Sequence, residues 1–271
     1  MKKVIIILLV IQNLLTMGQN TKEKHAIRIE NEKITFELPK DSTVAANLKK
    51  AIEEYWYYND NYEFAQVGSC SDNSIKISIV LTTLTYVVRE FSIKEELGSI
   101  LKLMITIDKP RFSIGFSRFP ELSYLDFVEI IKRSQFVLLE IKEEGSWNKA
   151  FVGIHKKYGK ELKNKTLLVD TSLFKENISI EKFGTKYPYK FAYVSKEVIE
   201  DAIINNDKSK AYFKIVEEKV GIIVQYIVNA GTGKIYAGNY SKIETIDNIR
   251  NCSKNKTLTL DDIRCFLRKI R

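Results

Sequence analysis

The chain has 271 residues, 45% of them hydrophobic and 28% charged, with 43 Lys and Arg against 34 Asp and Glu for a formal net charge of +9. This balance is ordinary for a globular protein and excludes a low-complexity or collagen-like chain; the length allows one large or two modest domains with a substantial core. Three cysteines are too few for a disulfide scaffold, and together with two distant histidines they offer no zinc-ligand spacing.

Residues 1–18 read as a signal peptide. Lys2 and Lys3 form a charged start, Val4 to Leu15 is apolar apart from Gln12 and Asn13, and Thr16-Met17-Gly18 places small residues before Gln19. The apolar run is too short for a spanning helix and no second one follows. The expectation is therefore an exported chain, periplasmic or extracellular, with no transmembrane helix after cleavage. An oxidising destination permits one disulfide, and Cys252 with Cys265 is the closest pair in sequence; free buried thiols are the alternative.

Residues 19–26 are polar. Ile27, Ile29, Ile34, Phe36 and Leu38 then alternate as in a strand or small hairpin. Asp41-Ser42-Thr43 supplies an N-cap for a helix from Val44 to about Tyr58, whose apolar face holds Val44, Leu48, Ile52 and Tyr55. Asn59-Asp60-Asn61 stops it, and Tyr62–Val67 resumes as a strand, completing a β-α-β unit. Ile75–Leu81 alternates as a further strand. Tyr86–Phe91, Ile100–Ile107 and Arg111–Phe116 have strand composition, with Lys94–Gly98 as a turn or short helical piece, so an antiparallel meander is predicted. Ser123-x-x-Asp126 is a capping box for the longest helix, Tyr124–Glu144, which ends at Gly145. Trp147–Asn164 shows no clear period and reads as a basic surface connection.

A second unit starts at Lys165. Thr166–Val169 is a strand, Ser179–Phe183 a short helix, Tyr189–Val194 a strand, and Ser195 opens a helix through Ile204. Ala211–Val216 and Gly221–Val228 are strands, and Ala230-Gly231-Thr232-Gly233 turns the second into Lys234–Ala237. Thr259-x-x-Asp262 caps a last helix. The fold class is a mixed α+β (α/β) arrangement of two similar β-α-β-containing halves, with mixed or antiparallel sheets and a long connecting helix. The divisions are a signal peptide at 1–18, an N-terminal half at 19–145, a basic connection at 146–164 and a C-terminal half at 165–271. Tyr62-Glu63-Phe64 and Tyr189-Lys190-Phe191 open equivalent strands, which suggests internal duplication.

Two groups of residues carry a resemblance. They are Leu48-Lys49-Lys50-Ala51-Ile52-Glu53-Glu54-Tyr55-Trp56 followed by Tyr62-Glu63-Phe64, and Tyr187-Pro188-Tyr189-Lys190-Phe191 followed by Ser195-Lys196-Glu197. Over roughly a third of its length the chain resembles exported proteins of unknown function of the Bacteroidetes type. The resemblance implies a bacterial exported protein and brings no catalytic residue with it.

No catalytic constellation stands out. His25 and His155 are the only histidines, and neither G-x-S-x-G nor H-E-x-x-H occurs. Gly231-Thr232-Gly233-Lys234 lacks the spacing and the following Ser or Thr of a phosphate loop. Adjacent carboxylates such as Glu53-Glu54 and Asp261-Asp262 fit solvated faces and helix starts. No cofactor and no metal are expected. Two surfaces are candidates for recognition. Trp56, Tyr57 and Tyr58 offer aromatic faces to a sugar, peptide or partner, against the alternative of core packing. Lys156, Lys157, Lys160, Lys163 and Lys165 form a candidate polyanion patch, against that of a solvated basic face. The partner is another envelope protein or a polyanionic polymer, without specific nucleic-acid binding. The expected function is a non-enzymatic binding or interaction protein of the envelope or exterior; the alternative is a hydrolase of polymers acting through cleft carboxylates.

Overall fold

The computed structural model describes residues 24, 26–69, 75–88, 93–106, 111–118, 123–145, 147–219, 222–240 and 257–270. The segment read as a signal peptide lies outside them, as do Cys70 and Cys252. Cys265 is disulfide-bonded.

Residues 26–31 form a helical turn, α1, rather than the extended arm expected from Ile27 and Ile29. Ala26 and Ile29, three apart, are fully buried while Ile27 is 40% exposed, which is a helical and not a strand pattern. Strand β1 (Ile34–Leu38) follows, then α2 (Ser42–Tyr55), capped by the Asp41 carboxylate, which accepts the Val44 N–H at 2.9 Å. The helix stops three residues before the predicted end. Trp56 turns extended so that it and Tyr58 bury, Trp56 meeting the Phe36 ring edge-on at 5.1 Å.

β2 (Tyr62–Gln66) and β3 (Ile75–Val88) flank β1, both parallel to it, and β4 (Ile93–Thr106) and β5 (Arg111–Arg118) complete a sheet of order β2-β1-β3-β4-β5. The two strands predicted at Ile75–Leu81 and Tyr86–Phe91 are one continuous strand up to Val88. The turn predicted at Lys94–Gly98 belongs to β4: Lys94 pairs with Val87 and Glu95 with Tyr86, and a register shift between Leu84 and Thr85 absorbs an extra residue there as a bulge.

Helix α3 (Tyr124–Glu144) has the predicted capping box, and Gly145 ends it in the left-handed region at φ 74°. The next segment is a helix, α4 (Trp147–Leu162), and not an irregular connection. Ile154, Tyr158 and Leu162 recur every four residues on it, and Ile154 and Leu162 are buried.

The second sheet repeats the topology of the first. β6 (Thr166–Asp170), a 3-10 turn (Thr171–Leu173), α5 (Ile180–Gly184), β7 (Phe191–Val194), α6 (Lys196–Ile204), β8 (Lys210–Lys219), β9 (Ile222–Asn229), β10 (Ile235–Tyr240) and α7 (Leu260–Ile270) follow in order. The sheet runs β10-β9-β8-β6-β7, with β6 parallel to both neighbours and β9 and β10 antiparallel. Strand for strand, this is the order and direction of the first sheet. The difference is α6, which crosses from β7 to β8, where only residues 67–74 join β2 to β3.

The core is shared. One apolar cluster combines Ile34, Phe36 and Ile52 of the first half, Ile130, Ile131 and Leu138 of α3, and Tyr212, Val224 and Val228 of the second sheet. The opposite face of that sheet packs Leu167, Val169 and Phe213 against Phe183 of α5 and Phe266 of α7. α3 therefore runs between the halves. Fifteen of its 21 residues are buried, so its polar side is covered as fully as its apolar stripe.

Candidate functional site

Burying a charged helix face leaves polar groups that need partners, and α3 finds them on the second half. Glu129 accepts the Tyr212 hydroxyl at 2.7 Å and pairs with the Lys214 ammonium. Burial acts to raise the pKa of Glu129, but Lys214, Arg133 and the two hydrogen bonds outweigh it and hold the carboxyl below its ordinary value. One turn on, the Lys132 ammonium donates to the carbonyls of Ile203, at the end of α6, and of Ala230 (3.2 Å), and sits 4.7 Å from the centre of the Tyr55 ring. Burial lowers the Lys132 pKa to about 8. Gln135 bonds α3 to the end of α2, donating to the Tyr55 carbonyl at 2.8 Å and accepting the Tyr57 N–H.

Two cavities flank α6 along this helix. The first, of about 420 Å³, is lined by Asp126 and Glu129 of α3, Asp170 at the end of β6 and Ser172 just after it, Ile199 of α6 and Tyr212 of β8. It opens beyond the carboxyl end of β6, which lies between its two parallel neighbours with the chain leaving in opposite directions. In open sheets with parallel strands this switch point is the usual ligand crevice. Each carboxylate in it has a structural partner. Asp126 accepts the Ser123 N–H and hydroxyl at 2.9 and 2.7 Å, Asp170 accepts the Ser172 N–H at 2.8 Å, and Glu200 pairs with Lys196 at 3.1 Å. Burial raises the Asp126 pKa against those hydrogen bonds.

The second cavity, of about 510 Å³, lies at the junction of the halves between Tyr55, Tyr57, Lys132, Lys208 and Gly231. Gly231 is required there, because a Cβ would lie 2.6 Å from the Asn206 carbonyl oxygen and 2.8 Å from the Lys208 nitrogen. Among the described residues no group of three or more His, Cys, Asp or Glu side chains could hold a metal ion. No described helix is long and apolar enough to cross a membrane.

No family model, curated protein or solved structure matches this chain.

The three aromatics singled out by sequence separate in space. Trp56 and Tyr58 are core residues, with their polar atoms donated to the Asn59 and Ala26 carbonyls, and only Tyr57, 58% exposed, faces a cavity. The lysines separate too. Lys156, Lys157 and Lys160 are on α4, where Lys157 is spent on Glu140 and Glu143. Lys163 and Lys165 lie beyond the helix, Lys163 over the Tyr189 ring at 5.6 Å. The crevice residues Asp126, Glu129, Asp170 and Tyr212 carried no sequence signal beyond the Ser123–Asp126 capping box, since they meet only through the crossing of α3 over β8.

Proposed function

We propose that the chain is an exported, non-enzymatic binding protein of the bacterial envelope or exterior, and that its ligand enters the crevice beyond the carboxyl end of β6. The carrying observation is that this crevice sits at the switch point of a parallel sheet, while its carboxylates are committed to caps and ion pairs. A general base needs a carboxylate that can accept the substrate's proton. Asp126 and Glu129 are instead held by Ser123, Tyr212 and Lys214. The export reading draws on the Lys2-Lys3 start with its apolar run and on the disulfide at Cys265, which suits an oxidising compartment. The common strand order of the two sheets supports duplication of an ancestral unit.

The hydrolase is the second reading. Asp126 and Glu129 lie three apart on one face of α3 and both line the crevice, with pKa values pushed in opposite directions. One screen separates the two. Against a panel of short glycans, peptides and amino acids, the binding reading expects a saturable rise in Tm with the ligand recovered intact. Ser172→Trp, which narrows the crevice mouth, then abolishes the rise. Turnover that disappears in Asp126→Asn while the cooperative unfolding transition is kept would transfer the assignment to the hydrolase. Cell fractionation addresses export, for which full-length chain in the cytoplasm is the contrary result.

A further inference from the structure

The opposite edge of the second sheet is chemically unlike the crevice. Three connections meet at the amino ends of its parallel strands: residues 163–165 before β6, 186–190 before β7 and 205–209 before β8. They are tied to one another by backbone bonds, Thr166 N–H to the Ser209 carbonyl and Leu167 N–H to the Lys190 carbonyl, both at 3.0 Å. The topology thereby gathers Lys163, Lys165, Lys186, Lys190, Lys208 and Lys210 onto one edge. Asp207 is the single acidic residue in these connections. The Ser209 hydroxyl, which donates to Asp207 at 2.6 Å, and then the charges of Lys210 and Lys165 hold its carboxyl below the ordinary value.

None of the six lysines forms a close ion pair among the described residues, in contrast to Lys157, Lys196, Lys214 and Lys234. Lys190 and Lys208 are exposed and the other four half-exposed. Helix C-termini also point to this edge and favour cations. Three such ends, at roughly half an elementary charge each, together with Asp207 still leave an excess of about three and a half positive charges. Such an excess is a field for a polyanion. Two features narrow the partner. All six cations are lysines, which act as hydrated point charges and not as the planar forks that read bases or phosphates in pairs. Interleaved with them is the half-exposed Tyr189 ring, packed edge-on against Tyr187 at 5.5 Å and lying under Lys163, an aromatic face of the kind that sugar rings cover.

We propose that this lysine edge, with Tyr189 at its centre, is a second binding site that takes a linear acidic polysaccharide. It is separate from the crevice at the other end of the same strands and stands or falls independently of it. Polygalacturonate and heparin are the probes, applied to the whole chain without residues 1–18 by titration at two salt concentrations. The expected result is binding that weakens with salt, and at least tenfold weaker binding to Lys163→Glu/Lys190→Glu/Lys208→Glu. Lys40→Glu/Lys175→Glu/Lys182→Glu makes the same change in net charge at exposed lysines elsewhere and should bind within about twofold of the parent. Lys190→Gln with Tyr189→Ala is the milder second variant and should lose several-fold. Equal losses in the two triple variants would reduce the effect to net charge and overturn the proposal. So would unchanged binding in both edge variants, or duplex DNA or anionic vesicles bound more tightly than either polysaccharide at the higher salt.

Discussion

Lys132 is a tightly constrained residue. The residue is 2% exposed, yet its ammonium satisfies two carbonyls from two different elements of the second half. The sign of its linkage follows from the lowered pKa. Between about pH 8 and the unfolded value near 10.5 the unfolded chain binds more protons than the folded one, so the contribution of this residue to stability rises with pH. Urea denaturation of the parent and of Lys132→Met between pH 8 and 9.5 should differ by a slope of about 1 kcal/mol per pH unit. Parallel curves would mean that Lys132 does not titrate in this window. Glu129 poses the complementary case. Glu129→Gln strips Lys214 and Arg133 of their carboxylate and should cost about 3–5 kcal/mol, whereas Glu129→Leu with Lys214→Met should recover only part of it, because Arg133 stays buried. The depressed Glu129 pKa adds that this pair's contribution is present above the unfolded carboxylate pKa and is lost as pH falls through the folded value.

At the scale of elements, the β9–β10 turn is a structural joint. Gly231 lies against the α6–β8 connection and Gly233, at φ 70°, has no room for a Cβ beside the Lys132 carbonyl carbon at 2.6 Å. Gly231→Ala should therefore lower stability by about 1–3 kcal/mol, because backbone and not a flexible side chain must move; an unchanged urea midpoint would show that the connection yields freely. This turn was legible in the sequence, because Gly-Thr-Gly between two apolar runs admits few alternatives. So were α3 and α7, whose capping boxes announce their starts. Less legible was whatever depends on tertiary partners. α2 ends at Tyr55 because the Phe36 ring and the Asn59 carbonyl reward an extended Trp56, and neither lies within the helix pattern. α4 hides its period, since the lysines between Ile154, Tyr158 and Leu162 dominate the local composition. The crevice was invisible because its lining comes from α3, α6 and the ends of β6 and β8, segments that only the sheet order brings together.

The whole molecule divides by topology but not by core. Two sheets of identical strand order suggest two independent units, and the buried α3 contradicts that independence. Its apolar side chains belong to the same cluster as Ile34 and Ile52 on one side and Tyr212, Val224 and Val228 on the other. Its polar side chains complete ion pairs and caps across the same boundary. Removing it from the second half would expose Ile199, Ile203, Tyr212, Val224, Tyr226 and Val228. At about 1.5–3 kcal/mol for each large apolar side chain, the loss is on the order of 10 kcal/mol, comparable to the entire stability of a typical protein. The chain should consequently unfold in a single transition, with far-UV circular dichroism and tyrosine fluorescence coincident in urea. A fragment of residues 146–271 should keep some secondary structure, bind the dye ANS and lack a cooperative transition. Two separated transitions in the intact chain, or a cooperatively folded fragment, would make the halves true domains and reduce α3 to a tether between them.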